Sequence, residues 1–163
     1  MLNQKVADLI NDQINKELYS AYLYLDFSNY YYDEGLSGYG NWYFIQAQEE
    51  RDHAMLMLEY LRNNGMSVTL KAIDKPDKEI KSFEDPLKFG LEHEIYVYAE
   101  CVKENDFRTM QFLDWFVKEQ GEEEDTAETN LKKFQLFGSD PKGLYALDAE
   151  LGARVYTAPS LTL

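Results

Sequence analysis

Apolar residues recur at steps of three and four along nearly the whole chain, and this spacing restricts the fold to α-helices. No stretch shows the alternation of a strand, and no internal repeat or low-complexity segment interrupts the pattern. Breaks fall at Asp33-Glu34-Gly35, at Gly65 and at Gly138-Ser139-Asp140-Pro141, where turn-forming residues cluster. The pattern therefore predicts an all-α chain with helices over residues 3–32, 38–64, 86–103, 107–137 and 141–152.

The lengths of the connections predict how these helices pack. Short turns make the first and second helices, and the third and fourth, antiparallel neighbours. The connection over residues 65–81 lacks strong periodicity and is long enough to run the length of a bundle. Asp85-Pro86 then predicts a helix start, with aspartate as N-cap and proline at the first helical position. We therefore expect a four-helix bundle with one long crossover over residues 1–139, and a short C-terminal fifth helix and tail over residues 140–163.

The charge of the chain limits its partners. It carries 30 Asp and Glu residues against 16 Lys and Arg, a formal net charge of −14 over 163 residues. This excess disfavours nucleic-acid backbones and anionic membranes and favours cations. A single cysteine, Cys101, excludes an internal disulfide and a cysteine-based zinc site. No apolar run reaches the ~18 residues that a membrane span needs, and the first residues lack the apolar core of a signal peptide, so we expect a cytoplasmic protein.

Every predicted bundle helix places polar residues in the middle of its apolar stripe. They are Glu17 and Tyr24 on the first helix, Gln46, Glu50 and His53 on the second, Glu94 on the third, and Gln120 and Glu123 on the fourth. A lone carboxylate in a core costs several kcal/mol unless it is paired, protonated or bound to a metal. Taken singly, Tyr24, Gln120 and His53 are each better explained as hydrogen-bonded core residues, and the spacing does not choose between Glu49 and Glu50. The joint pattern, with Glu50 and His53 one turn apart, favours a shared cation.

The fourth predicted helix also carries the acidic run Glu119, Glu122, Glu123, Glu124 and Asp125. Such a run is by default a solvated face, which we expect of Glu124 and Asp125. Glu119 and Glu122 lie one turn apart beside Glu123 and can face Glu49 across the bundle, where they would form a weaker, oxygen-only cation site. Oxygen-rich ligation with one imidazole suits Fe(II) or Mn(II), with Zn(II) as a competitor.

Five segments carry a resemblance to a known family over essentially the whole chain. They are residues 11–19 (NDQINKELY), 48–54 (QEERDHA), 91–94 (LEHE), 112–124 (FLDWFVKEQGEEE) and 143–145 (GLY). Together they resemble the bacterial non-haem ferritins. Ferritin-like di-iron bundles include proteins with two Glu-x-x-His motifs. Here the Glu50-x-x-His53 motif is present, whereas the matching turn of the fourth helix, Glu119-x-x-Glu122, has no histidine, which separates the chain from bacterioferritin and rubrerythrin.

The resemblance implies a role for all of these polar residues except Gln46. Glu17, Glu50 and His53 would bind iron at an A site, and Glu50 would bridge to a B site completed by Glu94 and Glu123. Gln120 would lie beside the two metals, and Tyr24 would hydrogen-bond the cluster. The implied third iron site consists of Glu49, Glu119 and Glu122, with Glu123 shared.

The reaction implied by the resemblance is that of a ferroxidase in an iron-storage cage without haem. Fe(II) would be oxidised by O2 or H2O2, Zn or Mn could stand in for iron, and Fe(III) mineral would be held in a homo-oligomeric shell of 24 subunits. The fifth helix, residues 141–152, would line the four-fold axis. Two alternatives stay open: a ferritin-fold assembly or iron-binding subunit with an impaired ferroxidase site, and a purely structural acidic bundle that binds no metal. The charge and the fifth helix disfavour a DNA-protecting mini-ferritin.

The join between the third and fourth helices departs from the family pattern. Glu94 lies 11 positions before Asn105 and Glu123 lies 18 positions after it, a difference in height of about 10 Å of helix. The resemblance implies a third helix longer by about seven residues, or two turns. Deliberate engineering of the assembly and a natural deletion are the two explanations of the shortening, and the first is favoured. Residues 104–113 would have to form a loop to bring the two carboxylates level. The apolar residues that this loop exposes would be Phe107, Met110 and Phe112.

We expect this loop, because a continuous fourth helix would leave the B site one ligand short. The turn between these helices lines the three-fold channels of ferritins. An altered turn therefore also predicts an assembly other than the 24-subunit shell.

Overall fold

The computed structural model describes residues 2–89, 103 and 106–163. The helices of this part of the chain are α1 (Gln4–Asp33), α2 (Ser37–Asn63), α3 (Asp85–Phe89), α4 (Phe107–Phe137) and α5 (Pro141–Gly152). The predicted all-α class is confirmed, and α1, α2, α4 and α5 begin and end within one residue of their predicted bounds. The predicted third helix beyond α3 lies outside the described residues. Within the described ranges, no helix combines the length and apolarity that crossing a membrane requires.

α1 and α2 form the antiparallel pair that their short connection predicts. Gly35, in the turn between them, has a φ of +80°, a conformation that glycine adopts without steric cost. The N–H of Glu34 donates to the Tyr30 carbonyl at 3.0 Å, and the N–H of Leu36 donates to the Tyr31 carbonyl at 2.8 Å. These bonds close the end of α1, so α2 starts directly beside it.

Gly65 ends α2 as the sequence predicts. Its φ is +72°, and its N–H donates to the Arg62 carbonyl at 3.0 Å. The N–H of Met66 donates to the Leu61 carbonyl at 2.9 Å. This pair of bonds is a Schellman motif, which satisfies carbonyls that the helix end would otherwise leave free.

The connection between α2 and α3 runs beside α1. The Asn11 amide donates to the Thr69 carbonyl and its oxygen accepts from the Thr69 N–H, both at 2.8 Å. The Tyr31 hydroxyl donates to the Phe83 carbonyl at 2.5 Å. Asn11 and Tyr31 are about 30 Å apart along the helix. The predicted long crossover is therefore confirmed.

The role predicted for Asp85 as N-cap is wrong. Its carboxylate accepts hydrogen bonds from the N–H groups of Lys81 and Ser82, at 2.8 and 2.9 Å, which precede it in the chain. α3 already includes Asp85, and the next residue, Pro86, has no N–H to offer. The carboxylate therefore closes the turn before the helix instead of capping the helix itself.

Two apolar clusters fill the described part of the bundle. One includes Ile14 and Met57, and the other includes Phe27 and Tyr43. Along α1, Glu17 stands between Ile14 and Phe27, so the polar residues predicted to point inward lie between the two clusters. The apolar clusters thus hold both ends of α1 and α2 together around a polar middle.

α4 begins at Phe107 and continues without a break to Phe137, so the predicted loop over residues 104–113 is wrong. Asp106 caps the helix: its carboxylate accepts from the Thr109 N–H at 3.1 Å and from the Thr109 hydroxyl at 2.7 Å. The first turn of α4 is therefore satisfied locally and begins where the apolar periodicity begins.

Burial explains why the helix prevails over the loop. Phe112 is 6% exposed and stacks on Tyr60, with ring centroids 4.0 Å apart, and Met110 packs against the same cluster. A loop would give up this burial, at about 1.5–3 kcal/mol for each large side chain, together with two turns of backbone hydrogen bonds. Of the three residues that the loop would expose, Phe107 is exposed, at 72%.

α5 packs against the start of α2. The Asp148 carboxylate accepts from the Tyr39 N–H at 3.0 Å. A Cβ added at Gly38 would lie 1.7 Å from the Asp148 carbonyl oxygen, so glycine is required for this close approach. α5 is therefore anchored at the end of the bundle where α2 begins.

The C-terminal segment, residues 153–163, then runs back along the bundle. The Arg154 carbonyl accepts from the Asn41 side chain on α2 at 3.1 Å. Further on, the Ser160 hydroxyl accepts from the indole N–H of Trp115 on α4 at 3.0 Å. The C-terminal segment is thus attached to both α2 and α4.

Candidate metal centre

Three ionisable side chains from α1 and α2 meet in the interior of the bundle. Glu17, Glu50 and His53 each offer one ligand atom, and these atoms lie within 4.8 Å of one another. The three residues are 7, 7 and 6% exposed, so a cation between them would be almost fully enclosed. The structure brings together the residues predicted for the A site. Among the described residues, no other group of three His, Cys, Asp or Glu side chains meets this distance.

The local sequence explains this geometry. Glu50 and His53 are three residues apart on α2, which places them one turn apart on the same face. Glu17 faces them from α1, with its Oε2 3.8 Å from His53 Nδ1. Gln13, one turn earlier on α1, donates to Glu17 Oε1 at 2.6 Å. The ring of Phe116, on α4, contacts the imidazole edge to face at 5.7 Å. Neighbours thus hold both the carboxylate and the imidazole in place.

Glu123 on α4 joins this group through Gln46. Gln46 Nε2 donates to Glu123 Oε1 at 3.1 Å and to Glu50 Oε1 at 3.4 Å. One buried amide therefore links the two carboxylates that the sequence predicts to share the B site. Glu94, the other predicted ligand of that site, lies outside the described residues.

The metal-free site holds protons between its carboxylates. Burial raises the pKa of Glu50 well above its usual range, and repulsion from Glu17 and Glu123 adds to the effect. Burial also acts to raise the pKa of Glu17, but hydrogen bonds from His53 and Glu50 outweigh it, and the pKa of Glu17 is lowered. The ionised form is therefore favoured at Glu17 and the protonated form at Glu50, and the two side chains are linked by a hydrogen bond.

Glu123 and His53 each shift the pKa of the other. Burial raises the pKa of Glu123 to about 7, although His53 and the hydrogen bond from Gln46 oppose it. Burial acts to lower the pKa of His53, but its hydrogen bond to Glu17 and the charge of Glu123 outweigh this and raise the pKa. A divalent cation would replace these protons, so metal binding should release protons and strengthen as pH rises. The donor set thus fits a cation.

Tyr24 lies beside the carboxylates among aromatic rings. Its ring centroid is 5.9 Å from that of Phe27 and 5.8 Å from that of Tyr43. Burial raises the pKa of Tyr24 well above its usual range, and the charge of Glu50 adds to the effect. The phenol therefore stays neutral and keeps its proton.

A cavity of about 310 Å³ opens beside these carboxylates, and Gln120 lines it. Gln120 is half-buried and donates to Glu124 Oε1 at 3.2 Å. Glu124 and Asp125 are exposed, as predicted for the solvated part of the acidic run. Gln120 thus stands between the buried site and the solvated face of α4.

The other residues predicted for a third site border the same cavity without converging as closely. Burial raises the pKa of Glu49, and the charge of half-buried Glu119 contributes to that shift. Glu122 is exposed and pairs with Lys118 at 3.3 Å. The third site therefore stays a prediction about residues that share a cavity.

Two residues that contact the predicted ligands, Gln46 and Arg154, have no role assigned from the sequence. Gln46 stands in the polar stripe of α2, and its position one turn before Glu50 is the signal that could have assigned it a role. Arg154, in the C-terminal segment, donates from Nη2 to Glu49 Oε2 at 2.5 Å. No periodicity extends beyond α5, so the sequence gives no signal for this contact.

The chain is similar to members of one family along almost its whole length. A family profile described as a ferritin-like domain matches residues 7–137. The bacterial non-heme ferritin of Campylobacter jejuni is 36% identical over 155 residues, which cover 91% of this chain and 93% of the relative. An open-pore ferritin from the archaeon Archaeoglobus fulgidus is 38% identical, with a TM-score of 0.90 over 95% of this chain and 100% of that chain. A closed form of the A. fulgidus ferritin, engineered by site-directed mutagenesis, is also 38% identical, with a TM-score of 0.91 over 96% and 100%.

Proposed function

The chain belongs to the ferritin-like family, and from that premise we propose that it oxidises Fe(II) inside its helical bundle and stores the Fe(III) product in an oligomeric shell. The observation that carries the proposal is the meeting of Glu17, Glu50 and His53 in the buried interior. Two carboxylates and an imidazole weaken an apolar core, yet they are a donor set that suits Fe(II).

In this proposal iron is the substrate, and the protein supplies two adjacent sites. Glu17, Glu50 and His53 bind the first Fe(II), and Glu50, Glu94 and Glu123 bind the second. The link from Gln46 to both Glu50 and Glu123 supports the shared position of these two carboxylates. Each Fe(II) gives up one electron, and dioxygen or peroxide accepts the two electrons. Protons that leave Glu50 and Glu123 when the metal binds are then available to the reduced oxidant.

The residues around the cavity have supporting roles in the same proposal. Glu49, Glu119 and Glu122, with Glu123 shared, offer a third and weaker iron site beside the first two. Gln120 tunes the second metal, and the neutral Tyr24 donates a hydrogen bond to the cluster. Zn(II) or Mn(II) can occupy the sites in place of Fe(II).

We also propose a homo-oligomeric shell whose subunit number is not 24. The two A. fulgidus ferritins support variation of shell form within this family, because one has an open pore and the other is a closed form obtained by mutagenesis. In the present chain, the seven-position offset between Glu94 and Glu123 is counted from the turn predicted at Asn105, and the corresponding turn lines the three-fold channels of ferritins. The same offset favours one alternative, a ferritin-fold assembly or iron-binding subunit whose ferroxidase site is impaired.

Rapid mixing of the metal-free protein with Fe(II) and O2, followed by near-ultraviolet absorbance, tests the function. We expect a fast phase that saturates at about two Fe(II) per subunit, as a dinuclear site requires. Glu50→Ala should abolish the fast phase, because this carboxylate serves both metals. Glu59→Ala is the matched control, since Glu59 is an exposed glutamate on the same helix. Oxidation by the wild-type protein as slow as that of Glu50→Ala would instead favour the impaired subunit.

A further inference from the structure

Arg154 extends from the C-terminal segment into the cavity beside the metal centre. Its Nη2 donates to Glu49 Oε2 at 2.5 Å, and its Nη1 donates to Gln46 Oε1 at 3.1 Å and to the Trp42 carbonyl at 3.2 Å. The guanidinium also lies over the Trp42 ring, 4.6 Å from its centroid. Three acceptors and one aromatic face therefore fix a side chain that is 23% exposed.

The bond to Gln46 determines which way the Gln46 amide points. A guanidinium has donors and no acceptors, so the Gln46 oxygen must face Arg154. The Gln46 nitrogen then faces inward, where it donates to Glu50 and Glu123. With the amide reversed, its nitrogen would face the guanidinium, and two donors facing each other cannot form the bond between Arg154 and Gln46.

The C-terminal segment is held firmly enough to deliver this side chain. Asn41 donates to the Arg154 carbonyl at 3.1 Å, and the Tyr156 hydroxyl donates to the Asp52 carboxylate on α2. Further along, Leu161 packs against the apolar cluster that contains Met57. The N–H of Arg154 also donates to the Leu151 carbonyl at 3.2 Å. Arg154 is therefore held by its own backbone and by the residues that follow it, and does not depend on Glu49 alone for its position.

We propose that Arg154 is a positioning residue of the metal centre: it orients Gln46, which holds Glu50 and Glu123 in the arrangement that binds metal. The C-terminal segment is then part of the metal-binding machinery, although none of its side chains is a predicted ligand. This inference rests on the proposed function, because it assigns Arg154 to the same site.

Binding of Co(II) alone, without turnover, tests the proposal on the assembled protein. Visible absorption and calorimetry would follow Co(II) binding by the wild type, Arg154→Gln, Gln46→Leu and the double variant. We expect Arg154→Gln to lower the affinity about tenfold, equivalent to about 1.4 kcal/mol, and to change the Co(II) absorption spectrum. In the Gln46→Leu background the same substitution should change the affinity less than about twofold, since Arg154 acts through Gln46.

Lys133→Gln is the matched control. Lys133 on α4 forms an ion pair with Glu150 on α5, so this substitution removes another long-range charged contact of the C-terminal region without touching the cavity. It should leave the Co(II) affinity and spectrum unchanged. Trp42 fluorescence adds a second readout, because loss of the guanidinium over the indole should alter the emission of Arg154→Gln before any metal is added.

Unchanged Co(II) affinity in Arg154→Gln, or an equal loss in both backgrounds, would overturn the inference and leave the proposed function intact. Absence of Co(II) binding by the wild type would overturn the proposed function as well. If Arg154→Gln does not fold, Arg154→Lys tests the same link, because an ammonium keeps the charge beside Glu49 but lacks the planar fork that spans Glu49 and Gln46. Its affinity should still fall, and wild-type affinity would count against the proposal.

Discussion

Replacing Glu123 by glutamine should stabilise the metal-free protein at alkaline pH while weakening its hold on metal. Burial raises the pKa of Glu123 to about 7, against 4.5 for an ordinary glutamate. Between about pH 4.5 and 7, Glu123 of the folded protein therefore still binds a proton that the unfolded chain has released. Glutamine has nearly the same shape, carries no charge, and can turn its oxygen to accept the hydrogen bond from Gln46.

The sign and size of the effect follow from this difference in pKa. Below about pH 4.5 Glu123 is protonated in both states and contributes nothing. Between about pH 4.5 and 7 the folded state binds more protons, so the free energy of unfolding falls as pH rises; above pH 7 the full cost is present. At about 1.4 kcal/mol for each pKa unit, that cost is about 3 kcal/mol. Glu123→Gln should recover up to this amount at about pH 8 and almost none at pH 4.

Guanidinium unfolding of metal-free protein, at one fixed protein concentration, measures this difference. Adding Zn(II) should then stabilise the wild type, by about 2.7 kcal/mol at a hundred times its Kd, and stabilise Glu123→Gln much less. Glu59→Gln, an exposed glutamate on α2, is the control and should change neither quantity. Equal stability of Glu123→Gln and wild type at pH 8, or a gain that persists unchanged at pH 4, would refute the reasoning.

Four other measurements test the packing of α4, the metal site at His53, the role of Gln120 and the size of the assembly. Phe112→Ala should lower the free energy of unfolding by about 3–5 kcal/mol, because α4 buries this ring from its second turn; a loss below 1 kcal/mol would contradict that packing. Crystals soaked with iron or zinc should show an anomalous peak within coordination range of His53, and none there in His53→Ala. Gln120→Ala should slow Fe(II) oxidation several-fold without abolishing it, whereas an effect as large as that of Glu50→Ala would make Gln120 a ligand. Sedimentation should give a mass other than that of 24 subunits, and a 24-subunit mass would refute the altered assembly.

The sequence was sufficient to predict α1, α2, α4 and α5 because their signals are local. Gly65 has the positive φ that a helix terminator requires, and the spacing of apolar residues predicts both ends of α4. The predicted loop over residues 104–113 was wrong because it assumed that the helix breaks in order to bring Glu94 and Glu123 level. Burial of Phe112 and Met110 is a larger and more local contribution, and it keeps those turns helical. A requirement imposed by the site did not outweigh packing.

The site was predictable to the extent that one helical face defines it. Glu50 and His53 share a face of α2, and that spacing alone makes them neighbours. The contact between Arg154 and Gln46 joins residues 108 positions apart, and no local pattern carries that information. The distribution of protons among the carboxylates was likewise out of reach, because it depends on distances between side chains of three different helices.

The charge balance of the metal-free site also restricts which cations can enter it. Hydrogen bonds favour the ionised form of Glu17, burial favours the protonated form of Glu50, and burial raises the pKa of Glu123 to about 7. A monovalent cation is balanced by Glu17 alone. It leaves Glu50 either protonated, and so a poor ligand, or ionised without compensation in a buried place, which is costly. A divalent cation balances both carboxylates at once and gains two ionised ligands. The burial that makes these side chains hold protons in the absence of metal is therefore also what favours divalent over monovalent ions when metal is present.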